Sequence, residues 1–139
     1  MNKENIQNNT NSNSPFRGLG GRSDRSAYEI MAPAGSWESL SAAIKEGADS
    51  VYFGIEKLNM RAKSSSNFTT NDLREIVRIC NENNVKSYLT VNTILYDNDL
   101  TLMREIIDVA KESQVSAVIA SDVSALMYAN QVGVEVHLS

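Results

Sequence analysis

Residues 28–54 read YEIMAPAGSWESLSAAIKEGADSVYFG, and this stretch decides the fold. A short apolar run at 28–31 leads through a turn at 32–35 into a segment whose apolar residues recur at helical spacing. Ser36 is a good N-cap for that helix. A second apolar run follows at 50–53. Two strands joined by a helix form a βαβ unit, which predicts a parallel sheet.

The same alternation continues along the rest of the chain. Three more helices are expected, each opening at a residue that caps helices well: Thr69 or Thr70, Asp97 or Asp99, and Asp122. Three more strands are expected at 86–91, 117–120 and 134–138. The predicted order is therefore β-α-β-α-β-α-β-α-β.

Two architectures suit that order, a doubly wound open sheet and an eight-stranded barrel. The turn at 32–35 contains one glycine, which does not match the glycine fingerprint of a dinucleotide-binding sheet. A whole barrel needs about 250 residues, whereas this chain supplies four β/α units and one strand. We therefore predict an α/β fold, the N-terminal half of a TIM-like (β/α) barrel, and expect the chain to be truncated.

Residues 1–26 have a different composition, rich in Asn, Ser, Gly and charged side chains. Such a segment buries too little apolar surface to offset its ordering entropy. We predict a disordered tail over 1–26, followed by the partial barrel over 27–139. Gly18, Gly20 and Gly21 do not predict a phosphate loop, because no strand pattern precedes them and no helix pattern follows.

Charge and cysteine content exclude several classes of protein. The net charge is −4 and the tail is basic, so the body is acidic. An acidic body disfavours a nucleic-acid module that works through a broad basic face, although a local RNA site remains open. Cys80 is the only cysteine, which excludes an internal disulfide and a multi-cysteine metal site. With no signal peptide or membrane-span pattern, we expect a cytoplasmic location.

Two sequence blocks resemble a known family. EIMAPAG at 29–35 and GADSVYFG at 47–54 are similar to the opening blocks of the collagenase-like peptidases, peptidase family U32. Shorter blocks continue the resemblance: NMRA at 59–62, TVNT at 90–93, SD at 121–122 and HLS at 137–139. The resemblance covers essentially all of 28–139 and implies a barrel that continues past residue 139.

The resemblance also implies an activity and a cofactor. Members of the family are described as peptidases, and others take part in hydroxylating a base of tRNA or rRNA or in ubiquinone hydroxylation. In the hydroxylation groups an iron–sulfur cluster is held by cysteines further along than this chain reaches, and Cys80 matches none of them. We therefore expect no cofactor within this chain and a cluster in the missing C-terminal part.

His137 and Asp122 are the candidate catalytic residues, because barrel enzymes carry catalytic groups at the carboxyl ends of their strands. His137 falls near the tip of strand five, where an imidazole can transfer protons near neutral pH, but it is equally a packed strand residue. Asp122 follows strand four, where it can act as a base or simply cap the next helix. For each of these two residues, the catalytic and the structural role both stay open.

Arg61, Asn92 and Glu29 are the candidate substrate-binding residues. Arg61 can hold a carboxylate or phosphate with its guanidinium fork. Asn92 can offer a donor and an acceptor, or can form a turn. Glu29, in strand one, can bind substrate or take part in a structural ion pair. No residues are predicted to bind a metal.

No Ser-His-Asp or Cys-His arrangement is legible, and Cys80 lies on the apolar face of its helix. The family resemblance, together with the lack of a recognisable nucleophile, implies that the whole protein is an RNA-base hydroxylation enzyme, with a peptidase as the alternative and a non-catalytic half-barrel binding module as the second alternative. This chain alone is expected to be inactive. Its expected partners are RNA or a peptide, and not a membrane. The edge strands are expected to pair with the missing half of the barrel or with another chain.

Overall fold

The protein is described by a computed structural model that covers residues 28–56, 58 and 68–139. The predicted tail at 1–26 lies outside the described residues. The strands are Met31–Pro33 (β1), Ser50–Gly54 (β2), Lys86–Val91 (β3), Ala117–Ala120 (β4) and Val136–Leu138 (β5). The helices are Trp37–Lys45 (α1), Thr70–Glu82 (α2), Leu100–Ser113 (α3) and Val123–Val132 (α4), with a 3₁₀ turn at Asp97–Asp99.

The five strands form one parallel sheet in the order β1-β2-β3-β4-β5. Each strand is hydrogen-bonded to its neighbours in the sequence. A doubly wound sheet reverses its strand order at a switch point, and this sheet does not. Sequential parallel strands with helical crossovers are the arrangement of a (β/α) barrel wall. The predicted α/β half-barrel fold is confirmed.

Local side-chain chemistry sets where the helices begin. Ser36 and Ser39 form a capping box at α1, and Thr69 and Asp72 form one at α2. Asp122 caps α4 by accepting a hydrogen bond from the Ser124 backbone N–H at 2.8 Å. Each cap satisfies a backbone donor that the helix leaves unpaired, a contribution of about 1 kcal/mol. All three helix starts agree with the sequence prediction.

The hydrophobic core lies between one face of the sheet and the helices. Strand residues on this face alternate with residues on the other, as the pleat requires. The core-facing residues include Val51, Phe53, Leu89, Val91 and Val118 on the strands, and Leu73, Ile76, Cys80, Met103 and Ile106 on the helices. The opposite face of the sheet, here called the inner face, corresponds to the interior of a closed barrel.

The first and fifth strands differ from the sequence prediction by more than one residue, whereas the second ends one residue later than predicted, at Gly54. The first strand was predicted at 28–31 and lies at Met31–Pro33, and the fifth was predicted at 134–138 and lies at Val136–Leu138. The ladder with β2 explains the first difference, because it continues through the Ala34 N–H, which donates to the Tyr52 carbonyl at 2.9 Å. Pro33 is tolerated in β1 because the strand is at an edge of the sheet.

Candidate functional site

Five polar or aromatic side chains meet on the inner face. The Lys86 Nζ lies 2.6 Å from Glu29 Oε2, and the Tyr88 hydroxyl donates to Glu29 Oε1 at 2.8 Å. The Tyr88 ring contacts the His137 ring, with centroids 5.3 Å apart and planes tilted by 51°. His137 Nε2 lies 3.0 Å from Glu135 Oε1. We call Glu29, Lys86, Tyr88, Glu135 and His137 the inner-face cluster.

The cluster brings together residues of β3 and β5 and of the segments just before β1 and β5, across β2 and β4, which lie between them. In the sheet register Ser50 of β2 lies opposite Lys86, and Ala117 of β4 lies opposite Tyr88. Both intervening residues are small, so long side chains from alternate strands can meet above them. Contact between alternate strands is the way in which side chains fill the layers of a β/α barrel.

Three members of the cluster, Glu29, Lys86 and Tyr88, have perturbed pKa values. The Lys86 ammonium beside Glu29 lowers the pKa of that carboxyl to about 2, with a further contribution from the Tyr88 hydroxyl. The same contact raises the pKa of Lys86. Burial, together with the Glu29 carboxylate, raises the pKa of Tyr88. Glu29 is therefore an anion, Lys86 a cation and Tyr88 a neutral hydrogen-bond donor.

His137, a predicted catalytic residue, is the central residue of β5 and lies beside Ile119 in the register. Its side chain is 41% exposed, and that of Glu135 is 70% exposed. If Nε2 carries the proton that is shared with Glu135, Nδ1 is free to accept another. An accessible imidazole oriented by a carboxylate has the arrangement of a general base.

Glu29, a predicted substrate-binding residue, lies before β1 rather than within it. The first backbone hydrogen bonds to the start of β2 are made by Ile30, one residue later. The Ile30 carbonyl accepts from the Asp49 and Ser50 backbone N–H groups. Glu29 is thus at the amino end of the sheet, opposite the strand ends that carry catalytic loops in barrels. Both carboxylate oxygens are bound within the cluster. These contacts favour the structural ion pair over the substrate-binding role.

The other predicted site residues lie at the strand ends. Asp122 follows β4 with its carboxylate engaged as the α4 cap, so capping is the role that its contacts support. Asn92 follows β3 directly and is half-buried. Arg61 lies outside the described residues. The functional roles of Asp122 and Asn92 stay predictions.

Lys86, Tyr88 and Glu135 were not among the sequence-predicted site residues. A signal for two of them was present in strand three, KSYLTV, where Lys86, Tyr88 and Thr90 alternate with Ser87, Leu89 and Val91. That alternation places polar side chains on the face of the strand that would line the interior of a closed barrel. It does not reveal which strands they reach.

The described residues do not fit an iron–sulfur cluster or another metal centre. Among 28–56, 58 and 68–139, no three His, Cys, Asp or Glu side chains are grouped so that they could hold a metal ion. Cys80 is buried in the core, and burial raises the pKa of its thiol to about 11. Cluster ligands are thiolates, which this environment disfavours. No helix in the described part of the chain has the length and apolarity needed to cross a membrane.

A cavity of about 490 Å³ lies away from the cluster and is lined by Arg74, Arg78, Asn81, Glu112 and Ser113. Arg74 pairs with Glu112 at 3.2 Å, and Arg78 pairs with carboxylates of its own helix. Both guanidinium groups are already neutralised by carboxylates. The lining therefore has no surplus positive charge with which to attract an anionic substrate.

Comparison with known proteins identifies the family. The sequence model described as Peptidase family U32 matches residues 35–139. A solved structure of a U32 peptidase has the same fold, with a TM-score of 0.57 at 12% identity over 79% of this chain and 47% of that chain. The chain belongs to peptidase family U32.

Three curated relatives indicate the range of functions in the family. The chain is 69% identical over 112 residues to a collagenase of Porphyromonas gingivalis, a match that covers 81% of this chain and 27% of the relative. It is 44% identical to an uncharacterized protease of Methanocaldococcus jannaschii, over 80% of this chain and 27% of the relative. It is 29% identical to a tRNA hydroxylation protein of Bacillus subtilis, over 80% of this chain and 26% of the relative. The chain spans about a quarter of the length of these relatives.

Proposed function

We propose that the whole protein is a peptidase that cleaves collagen-like peptides, and that the carboxyl end of the inner face of β1–β5, where His137 lies, borders its active site. The 69% identity to the Porphyromonas gingivalis collagenase carries this proposal. The relatives involved in RNA hydroxylation are much more distant, at 27–31% identity. This difference moves the peptidase, the alternative in the sequence-based expectation, to first place.

The geometry supplies a base for hydrolysis. In the proposed mechanism His137 accepts a proton from a water molecule, which attacks the scissile carbonyl, while Glu135 stabilises the imidazolium that forms. The imidazolium then returns the proton to the leaving amine nitrogen as the peptide C–N bond breaks. The accessible pair of His137 and Glu135, 3.0 Å apart, suits this role. Cys80 does not serve as a nucleophile in this proposal, because it is buried in the core and its thiol pKa is raised.

Charge at the strand ends also favours a peptide over RNA. The described strand-to-helix loops and first helical turns carry carboxylates and contain no Lys or Arg; the carboxylates are Glu38, Glu56, Asp72, Asp97, Asp99 and Asp122. Such a rim repels a phosphate backbone, from which RNA binding draws much of its affinity. Lys57, Arg61 and Lys63 belong to the loop after β2 but lie outside the described residues.

The second candidate is hydroxylation of a tRNA or rRNA base in the cytoplasm. One relative is the 23S rRNA 5-hydroxycytidine synthase of Escherichia coli, 31% identical over 98 residues. The exposed ring of His137, resting against Tyr88, offers a planar surface on which a base can stack. An iron–sulfur cluster belongs with this candidate, and its cysteine ligands would lie outside residues 1–139, since Cys80 is the only cysteine.

One assay series separates the two candidates. The purified whole protein is incubated with a fluorogenic collagen-derived peptide, and tRNA and rRNA from cells with and without the gene are digested and analysed for hydroxylated nucleosides. We expect peptide cleavage that His137→Gln lowers by about 10²- to 10⁴-fold. Arg74→Gln, on the helix side of the sheet, is the matched control and should retain cleavage.

The outcomes point in different directions. Loss of cleavage in His137→Gln with normal stability supports the peptidase and its base. Full cleavage in His137→Gln removes His137 from the mechanism. Absence of cleavage, together with hydroxylated nucleosides that disappear when the gene is deleted, replaces the peptidase with the second candidate.

A further inference from the structure

Tyr88 and His137 contact each other but differ in accessibility. Tyr88 is 5% exposed, whereas the His137 side chain is 41% exposed. Tyr88 is thus already enclosed by the described part of the chain, so a substrate on the inner face has little access to its ring. Any effect of Tyr88 on chemistry must pass through the residue that it contacts.

The sheet register explains how Tyr88 reaches across β4. Tyr88 lies opposite Ala117, while His137 lies opposite Ile119, one inward-facing position further along β4. Ala117 is fully buried and too small to separate the two rings. The ring of Tyr88 thus passes over Ala117 and supports one side of the imidazole, with centroids 5.3 Å apart.

The far end of Tyr88 is also fixed. Its hydroxyl donates to Glu29 at 2.8 Å, and Glu29 is held in turn by Lys86 at 2.6 Å. An ionised acceptor makes this hydrogen bond stronger than one between neutral groups. Tyr88 is therefore held at its hydroxyl by β1 and β3 and presents its ring to β5.

We propose that Tyr88 is the positioning residue for His137: it fixes the plane of the imidazole so that Nε2 stays on Glu135 and Nδ1 faces the substrate cavity. This inference rests on the proposed function, in which His137 is the base. Glu135, which immediately precedes β5, and Tyr88 on β3 face His137, with Glu29 and Lys86 behind the tyrosine. A base held in one orientation reacts faster than one that samples several.

The test combines kinetics with the protonation pattern of His137 in the whole protein. Tyr88→Leu should lower kcat on the collagen-derived peptide by about 10- to 100-fold with KM little changed, because orientation and not substrate binding is lost. Tyr88→Phe keeps the ring and should stay within a fewfold of the wild type. In ¹⁵N-histidine spectra, with His137 assigned by its absence in His137→Gln, the Nε2–H tautomer should fall in Tyr88→Leu and persist in Tyr88→Phe.

A purely structural role predicts a different result, in which Tyr88→Leu lowers the melting temperature while kcat and the His137 tautomer stay as in the wild type. That result would overturn the inference. If Tyr88→Leu does not fold, Tyr88→Met serves instead, because it also removes the ring while keeping an apolar side chain that adapts to the site; an unchanged tautomer and kcat in this variant also overturn it. The tautomer measurement needs no turnover, so it remains decisive even if the peptidase proposal fails.

Discussion

The carboxylate of Glu29 lies 2.6 Å from the ammonium of Lys86, and this contact ties the segment before β1 to the start of β3, passing over β2. The two residues are 57 positions apart in the chain. Ser50, the residue of β2 opposite Lys86, is fully buried beneath this contact. The ion pair therefore lies at the amino end of the inner face and covers Ser50.

This ion pair predicts a specific dependence of stability on acid. The pKa of Glu29 is about 2 in the folded chain against 4.5 as its ordinary value, so its contribution to stability is complete above 4.5 and is lost as the pH falls toward 2. As the pH falls from 4.5 toward 2, the free energy of unfolding of Glu29→Gln should fall less than that of the wild type. Urea unfolding at a series of pH values measures it, with Glu112→Gln as the control for an exposed pair. The effect is modest because the pair is partly solvated. Parallel curves for wild type and Glu29→Gln would contradict the assignment.

Asp122 is expected to stabilise α4 through its cap. Asp122→Ala should lower the free energy of unfolding by about 1 kcal/mol, because the Ser124 N–H loses its acceptor, whereas Asp122→Asn should cost only a few tenths. Chemical denaturation of both variants measures this. Peptide cleavage by Asp122→Asn then tests the sequence-predicted catalytic role: a large loss of activity at unchanged stability would establish that role beside the cap.

Cys80 is expected to be unreactive in the folded protein. Burial raises its thiol pKa to about 11, so at pH 8 nearly all of it is the thiol and not the nucleophilic thiolate. Iodoacetamide should label the thiol slowly in buffer and fully in urea, as mass spectrometry can follow. Cys80→Ser should destabilise by about 1–3 kcal/mol, because it buries a hydroxyl among apolar side chains. Rapid labelling of the folded chain would show that the thiol is accessible.

The two edges of the sheet are expected to drive association of the 139-residue chain when it is isolated. Ile30 and Leu138, beside β1 and in β5, are 53% and 77% exposed, and edge strands present unpaired backbone groups. Gel filtration should therefore show dimers or larger species, fewer of which form in Ile30→Lys and Leu138→Lys. Ile94→Lys is the control, since Ile94 is 74% exposed in the loop after β3. A monomer that unfolds cooperatively would contradict this prediction.

The elements were predictable because their signals are local. The boundaries of β3 and β4 agree with the prediction residue for residue, since each is a compact apolar run between capped helices. β1 was misplaced because its extent depends on pairing with β2, a contact that the apolar pattern of 28–31 does not contain. The family could be recognised from short blocks for the same reason, because they are contiguous in the sequence.

The site was only partly predictable. His137 was singled out from its position near a strand end, and the structure places it accessibly on the inner face. Its neighbours Tyr88 and Glu135 were not identified. The ion pair that the sequence left open for Glu29 had no named partner, and the structure supplies Lys86. These relationships depend on which strands lie two apart in the sheet and on the small residues between them.

The sequence by itself determined the alternation of strands and helices, the caps that begin the helices and the membership of the family, because spacing and capping act within a few residues. The tertiary structure alone decided that polar side chains from β3, from β5 and from the segment before β1 meet on one face of the sheet. It did so because the parallel register brings Ser50 and Ala117 beneath longer side chains that are far apart in the sequence, so that Glu29, Tyr88 and His137 can make contact.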